Sequence, residues 1–183
     1  MEDDGLIRLA VPVGAADHVR GAADAPVTLV EYGDFECEYC GLAYPVVKAL
    51  EREYAGRLRV VFRSFPLEQH PHAEAASETA EFAADHGKFW QMHDTLYEHQ
   101  RALDERHLLG YAHGMGLDAQ ALATALREQT YAPIVDEQKE GGEESAIPGT
   151  PAFYLNGVLF EDEPTRENFA HAIDYLLEHG SVR

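Results

Sequence analysis

The chain has 183 residues, of which 45% are hydrophobic and 10% aromatic, and this composition predicts one ordinary globular protein with a buried core. Its 33 Asp and Glu residues outnumber 14 Lys and Arg, which gives a formal net charge of −19. Such an acidic surface repels phosphate, so the composition argues against nucleic acid and anionic membranes as partners.

The start of the chain and its cysteine content predict a cytoplasmic protein. Residues 1–4, Met-Glu-Asp-Asp, carry the wrong charge for a signal peptide, and no apolar run is long enough to cross a bilayer. The chain has two cysteines, so no separate structural disulfide can accompany a bond between them. In the cytoplasm such bonds are usually catalytic. A mature exported form with a replaced start would have the same sequence.

The first part of the chain has the pattern of a β-α-β unit. Residues 6–13 and 27–32 are predicted strands, the segment 37–54 has helical periodicity, and 58–65 is the next predicted strand. This order places strands 27–32 and 58–65 side by side and parallel, with the helix as the crossover between them.

The middle of the chain, residues 67–145, has a helical pattern throughout. Asp118 is the expected N-cap of one of its helices. The last helix of this block starts near Pro133, and the pair Gly141-Gly142 is expected to weaken it.

The last part of the chain returns to a strand pattern. Two apolar runs, 152–155 and 158–160, flank Asn156-Gly157, and Asn-Gly between apolar runs is the strongest short signal of a β-hairpin. A C-terminal helix is expected to begin near Thr165.

The two cysteines, Cys37 and Cys40, lie where a predicted strand gives way to a predicted helix. A helix N-terminus stabilises a thiolate, which is the reactive form of the sulfur, and two sulfurs at this spacing can close a disulfide and reopen it. The spacing therefore indicates thiol–disulfide exchange. Two alternatives are a pair of inert buried thiols and a zinc site completed by His70 and His72. The start of a surface helix explains those histidines better, so we expect no metal.

The layout of elements resembles the DsbA-like branch of the thioredoxin fold. Three stretches carry the resemblance: residues 34–41 (Asp-Phe-Glu-Cys-Glu-Tyr-Cys-Gly), 89–94 (Phe-Trp-Gln-Met-His-Asp) and 149–153 (Gly-Thr-Pro-Ala-Phe). The resemblance extends over residues 18–178 and implies an α/β protein, β-α-β then β-β-α, with an inserted helical block. Residues 1–66 and 146–183 would form the thioredoxin-fold domain, and 67–145 the inserted helical domain.

Three residues are the candidate catalytic groups. Cys37, nearer the helix end and the solvent, is the expected attacking thiolate, and Cys40, one turn deeper, is the expected resolving thiol. Glu31 matches a buried acid that is thought to relay a proton for the resolving thiol in this family. Burial would raise the pKa of Glu31 and enable that role. The alternative is an acid on the surface of the strand.

Four residues are the candidate substrate-binding groups. Pro151 resembles the cis-proline that faces the redox pair in this family, and a cis bond would expose the backbone of Thr150 to an extended peptide. Glu38 and Tyr39, which lie between the cysteines, complete the set. The expected partners are extended or unfolded proteins with thiols or disulfides and a thiol or disulfide redox partner. No cofactor is expected.

The charges around the pair predict that Cys37 is only modestly acidic. Glu38 lies between the cysteines, and Asp34 and Glu36 precede them, so these acids should offset the helix terminus and keep the pKa of Cys37 close to about 7. The predicted function is reduction or repair of protein disulfides. One alternative is a peptide-binding or chaperone module with incidental redox activity, and another is a glutathione-conjugating, kappa-like enzyme of the same architecture.

Overall fold

A computed structural model describes residues 5–180, so the acidic residues 1–4 and residues 181–183 lie outside it. The strands are β1 (His18–Gly21), β2 (Val27–Gly33), β3 (Leu58–Ser64), β4 (Ala152–Leu155) and β5 (Val158–Leu159). The helices are α1 (Glu38–Glu53), α2 (Ala73–Ala84), α3 (Phe89–Glu98), α4 (Glu105–Gly114), α5 (Ala119–Arg127), α6 (Ala132–Glu144) and α7 (Arg166–His179). Among these helices, none combines the length and the hydropathy needed to span a membrane.

The five strands form one sheet in the order β1-β3-β2-β4-β5. Strands β2 and β3 are parallel and are joined by the crossover helix α1, whereas β4 lies antiparallel to β2 and β5 antiparallel to β4. This arrangement confirms the predicted β-α-β and β-β-α units. It also brings the carboxyl end of β2, where the cysteines follow, beside the start of β4.

Both faces of the sheet are covered, which explains the nearly continuous apolar sequences of β2 and β3. On one face, Leu29 shares a buried cluster with Leu50 of α1 and Ile173 of α7. On the other face, Tyr32 shares a cluster with Tyr154 of β4. Since side chains alternate along a strand, Glu31 lies on the same face of β2 as Leu29, under α1.

Five helices, α2 to α6, separate β3 from β4, as the helical pattern of residues 67–145 predicts. Buried apolar side chains of α2 to α5 form a single cluster with Phe35, Phe62 and both cysteines. The predicted boundaries fall in the connections before α2 and after α6. The division into two domains stays a prediction, because the shared cluster crosses those boundaries.

The prediction of a strand over residues 6–13 is wrong. That segment makes one isolated bridge, between Arg8 and Val158, and the N–H of Leu9 donates to the carbonyl of Gly157 at 2.9 Å. Pro12 has no N–H to extend such a ladder. The regular strand is β1, whose four residues pair with β3 and lack an apolar run.

The glycine pair in α6 does not interrupt the helix, which runs from Ala132 to Glu144 without a break. A Cβ atom at Gly142 would lie 2.6 Å from the Phe65 ring. Gly142 therefore lets α6 approach the end of β3 more closely than a side chain would allow.

The hairpin and the helix ends agree with the sequence. Asn156 and Gly157 both have positive φ, 47° and 83°, as a tight two-residue turn between β4 and β5 requires. The Asp118 carboxylate accepts from the N–H groups of Gln120 and Ala121, which confirms it as the N-cap of α5. Helix α7 begins directly after the predicted Thr165.

Candidate active site

The cysteine pair lies at the N-terminus of α1. Cys37 is the N-cap residue and is 4% exposed, whereas Cys40 lies within the first turn and is fully buried. Both are free thiols. The N–H of Asp34 donates to the Cys40 sulfur at 3.5 Å, and the Cys37 thiol donates to the carbonyl oxygen of Thr150 at 3.6 Å. Cys37 therefore keeps a small exposed surface, whereas Cys40 has none.

The environment gives the two sulfurs opposite acidities. The hydrogen bond with Cys40 contributes most to lowering the pKa of Cys37 to about 5, and Thr150 and the first backbone N–H groups of α1 add to it against the effect of burial. Burial, together with Cys37, raises the pKa of Cys40 well above its usual value. The prediction that Cys37 stays close to about 7 is therefore wrong.

The acids that were expected to oppose the thiolate are paired with histidines. The Oδ2 atom of Asp34 lies 2.7 Å from Nδ1 of His70, and Oε1 of Glu36 lies 2.9 Å from Nδ1 of His72. Glu38 is exposed to solvent. The two carboxylates next to the pair therefore have histidine partners that a count of sequence charges does not include.

The sequence suggests His70 and His72 only as possible zinc ligands and does not predict their pairing with Asp34 and Glu36. Burial opposes protonation of His70, but Asp34 and the nearby Cys37 and Glu36 raise its pKa above the ordinary value of 6.5. Within residues 5–180, no group of three or more His, Cys, Asp or Glu side chains could hold a metal ion. The only signal in the sequence was the His-Pro-His spacing.

Gln100 is a second residue that the sequence did not reveal. Its Nε2 atom donates to the carbonyl oxygens of Phe35 and Cys37 at 2.9 and 2.8 Å. A Cβ atom at Gly41 would collide with the Gln100 amide, so a side chain at the position after Cys40 would displace that amide from its present place. The inserted helical block thereby holds the backbone on both sides of the first cysteine.

Glu31 is 3% exposed, which excludes the alternative of a surface acid. Burial raises its pKa to about 8, against the lowering effect of Arg20 and with smaller raising effects from Glu51 and Cys37. Its charge contributes to the raised pKa of Cys40. A carboxyl group with this pKa, close to the deeper thiol, can exchange a proton with it near neutral pH.

The predicted substrate-binding residues surround Cys37. The Thr150–Pro151 peptide bond is cis, and the carbonyl of Thr150 faces the Cys37 sulfur. Pro151 also lines a groove of about 330 Å³ between the connection before β4 and the segment after β5. Tyr39 is 71% exposed and Leu42, one turn further, is 65% exposed. Exposed apolar side chains therefore follow Cys37 in α1, and the cis-proline that faces Cys37 belongs to a groove.

Residues 14–175 match the family model described as Thioredoxin. This chain belongs to the thioredoxin family. Oxidised BdbD from Bacillus subtilis is a similar solved structure, with 22% identity, a TM-score of 0.81 and coverage of 88% of this chain and 93% of that chain. A thioredoxin-like oxidoreductase from Silicibacter pomeroyi has 23% identity, a TM-score of 0.79 and coverage of 90% and 94%. Alpha-DsbA1 from Wolbachia pipientis has 19% identity, a TM-score of 0.80 and coverage of 93% and 94%. They confirm the predicted DsbA-like thioredoxin fold, and at these identities they show the fold alone.

Curated relatives of this thioredoxin-family chain are longer proteins. It is 46% identical over 156 residues to Na(+)/H(+) antiporter NhaA 1 of Salinispora arenicola, which covers 84% of this chain and 24% of the antiporter. It is 38% identical over 141 residues to Na(+)/H(+) antiporter NhaA of Herminiimonas arsenicoxydans, covering 77% and 22%. The chain thus spans about a quarter of the length of the curated relatives it matches. The antiporter name therefore belongs to the longer proteins, of which a domain similar to this chain is one part.

Proposed function

We propose that this protein is a thiol–disulfide oxidoreductase that acts on protein substrates through Cys37 and Cys40. One observation carries the proposal, namely the opposite shifts of the two pKa values, to about 5 for Cys37 and well above the usual value for Cys40. At neutral pH the accessible sulfur is a thiolate and the buried sulfur a thiol. This is the division between attacking and resolving groups that stepwise exchange requires.

The reaction follows from this division. The Cys37 thiolate attacks one sulfur of a substrate disulfide, the substrate S–S bond breaks, and the other substrate sulfur leaves as a thiolate. In the fraction of molecules in which Glu31 is ionised, Cys40 then passes its proton to that carboxylate and attacks the Cys37 sulfur. The bond between Cys37 and the substrate breaks, so the substrate is reduced and the pair is oxidised. The same steps in reverse oxidise a substrate dithiol.

The direction of electron flow depends on the Cys37 thiolate. Its low pKa stabilises the reduced pair, so we propose a potential above that of thioredoxin, about −270 mV, and toward that of DsbA, about −120 mV. The reducing or repairing role stays a prediction, and a potential in the upper part of this range favours disulfide donation or isomerisation instead. The cytoplasmic location is likewise a proposal, which cell fractionation with an antibody to this chain tests.

The surface around Cys37 supports extended or unfolded protein substrates. Tyr39 and Leu42 provide exposed apolar contacts, and the Thr150 carbonyl at 3.6 Å from the Cys37 sulfur marks where an extended chain can pair. Such contacts would serve the alternative function, a peptide-binding or chaperone module, equally well. The Cys37→Ser variant distinguishes the two functions, because a peptide-binding or chaperone module would still protect an unfolded client protein without this cysteine.

One experiment tests the proposed function. The protein is equilibrated in glutathione buffers of graded potential, and the alkylated forms of Cys37 and Cys40 are counted by mass. We expect one reversible two-thiol transition, and Cys40→Ser should accumulate a mixed disulfide on Cys37. The absence of any reversible transition, with client protection retained in Cys37→Ser, would establish the peptide-binding module instead.

A second proposal concerns the partner. Because a domain 46% identical to this chain forms part of proteins named Na(+)/H(+) antiporter, we propose an antiporter of that kind as a redox partner. The test is to mix the purified Cys40→Ser variant with a purified antiporter of this kind and to look for a mixed disulfide. Adduct formation in this variant, and none in Cys37→Ser, is the expected result. Equal amounts in both variants would contradict it.

A further inference from the structure

Three buried polar side chains lie together beneath the cysteine pair. Glu31 and His93 are each 3% exposed and Tyr97 is 6% exposed. Within residues 5–180, the Oε1 atom of Glu31, the Nε2 atom of His93 and the hydroxyl of Tyr97 have no hydrogen-bond partner in the protein. Buried polar atoms are nearly always paired, so three such atoms in one region require an explanation.

Two of these atoms pack against the same glycine. A Cβ atom at Gly33 would lie 2.6 Å from the Tyr97 hydroxyl and 3.1 Å from Oε1 of Glu31. Both oxygens therefore lie against the same side of Gly33, and so close to each other. The His93 ring lies 5.0 Å from the Tyr97 ring, between their centroids, on the next turn of α3.

The hydrogen bonds of His93 fix its tautomer. Its Nδ1 atom lies 2.9 Å from Oδ1 of Asp94, a carboxylate that also accepts from Arg20 and Lys48 at 3.0 Å. These partners keep Asp94 ionised, so it can only accept and Nδ1 of His93 carries the proton. Nε2 is left as an acceptor. The Tyr97 hydroxyl is a donor, and the Asp94 side chain is 25% exposed.

We infer that Tyr97 and His93 form a proton path that connects Glu31, the base beneath Cys40, with solvent at Asp94. The inference rests on the proposed function and extends it. After Cys40 has attacked, the carboxyl of Glu31 gives its proton to the Tyr97 oxygen, and the hydroxyl proton passes to Nε2 of His93. The Nδ1 proton of His93 passes to Asp94 and from there to water. In the oxidised protein His93 therefore carries its proton on Nε2, and when the pair is reduced again the proton returns along the same atoms and restores the Nδ1–H form.

Several charged groups face Glu31 from the surrounding elements. Arg20 of β1 lowers its pKa, and Glu51 of α1 and Cys37 raise it. Arg20 also hydrogen-bonds Glu51 and Asp94, so it holds both ends of this region in place. These residues affect the acidity of Glu31, whereas Tyr97 and His93 offer the atoms along which a proton can move.

The test separates the attack of Cys37 from the resolution by Cys40. Reduced protein is mixed with a small disulfide-bonded peptide, quenched with acid at successive times, alkylated and weighed. We expect Tyr97→Phe to leave the formation of the mixed disulfide unchanged and to slow its resolution about ten-fold or more. Glu31→Gln should slow the same step, and Tyr97→Phe should add no further slowing in the Glu31→Gln background.

A matched control is Tyr44→Phe. The Tyr44 ring stacks on Tyr97 with 5.4 Å between centroids, but its hydroxyl donates to Glu98 on the exposed side. Tyr44→Phe should resolve at the wild-type rate. The inference fails if the Tyr97→Phe variant resolves the mixed disulfide at the wild-type rate. It also fails if Tyr97→Phe slows resolution by the same factor with and without Glu31→Gln, because an effect that is independent of Glu31 is structural. Absence of any mixed disulfide in wild type and in Cys40→Ser would overturn the proposed function instead.

Discussion

The Nδ1 atom of His70 lies 2.7 Å from the Oδ2 atom of Asp34, so a group that can carry positive charge stands beside the first acid after β2. Asp34 is fully buried and also accepts from the N–H groups of Glu36 and Leu67 at 2.7 and 2.9 Å. Its own N–H donates to the sulfur of Cys40. The loop between β3 and α2 is therefore part of the environment of the redox pair.

The first prediction concerns the charge of His70. His70→Gln keeps a polar side chain and removes the cation, so we expect the pKa of Cys37 to rise by about half a unit to one unit. Ultraviolet absorbance of the thiolate, followed against pH in the Cys40→Ser background, measures the shift. His171→Gln, on an exposed position of α7, serves as the control. Equal midpoints for both variants would show that His70 does not act on Cys37.

The second prediction concerns the pH dependence of attack. Because the pKa of Cys37 is lowered to about 5, the rate of alkylation by iodoacetamide should rise through pH 5 and become constant above it. An ordinary thiol would instead gain reactivity up to about pH 8.5. The rate is measured at limiting reagent in the reduced protein. A half-maximal rate near the ordinary value would remove the main support for the proposed function.

The third prediction concerns the stability cost of Glu31. Its folded pKa is about 8, above the ordinary value of 4.5, so between these pH values the unfolded chain loses a proton that the folded protein keeps. The free energy of unfolding therefore falls as pH rises from 4.5 to 8. At pH 7 this linkage is about 3 kcal/mol, part of which a buried amide would offset. We expect Glu31→Gln to stabilise by about 2 kcal/mol at pH 7 and little at pH 4.

Urea unfolding of the reduced protein at the two pH values measures this effect, with Glu105→Gln on the exposed start of α4 as the control. The same Glu31→Gln variant should resolve mixed disulfides slowly. A gain in stability at both pH values would indicate better packing rather than the removal of a titrating acid.

The fourth prediction compares two helical glycines. Gly142→Ala places a Cβ atom 2.6 Å from the Phe65 ring, and we expect a loss of about 1–3 kcal/mol of unfolding free energy. Gly110→Ala, inside α4, meets nothing within 4 Å and should stabilise by up to about 1 kcal/mol. Thermal and urea unfolding of both variants give the sign. Two changes of the same sign would contradict the close approach of α6 to β3.

The parts of the fold that follow from the sequence are those whose signals are local. Asn156 and Gly157 adopt the positive φ angles that their hairpin requires, and Asp118 caps α5 with its own side chain. Strand β1 lacks such a signal, because four half-polar residues become a strand only by pairing with β3, some 40 positions away. The same applies to Gly142, because only its packing against the distant Phe65 ring explains a glycine at this position.

The site divides in the same way. The positions of Cys37 and Cys40 at a strand–helix junction are visible in the sequence, since spacing and periodicity are local. The pairing of Asp34 with His70 joins residues 36 positions apart, and Thr150, which helps to lower the pKa of Cys37, lies 113 positions away from it. Electrostatics at this site depend on tertiary contacts that no short window of sequence contains.

Trp90 is the single tryptophan of the chain, and its ring contacts both Arg20 and His93. The guanidinium of Arg20 is 4.4 Å from the centroid of its ring, and the His93 ring is 4.9 Å away. The light that an excited indole emits depends on the charges beside it, and a protonated imidazole quenches it. The protein therefore carries an intrinsic fluorophore whose emission will follow the protonation of His93 without any attached label.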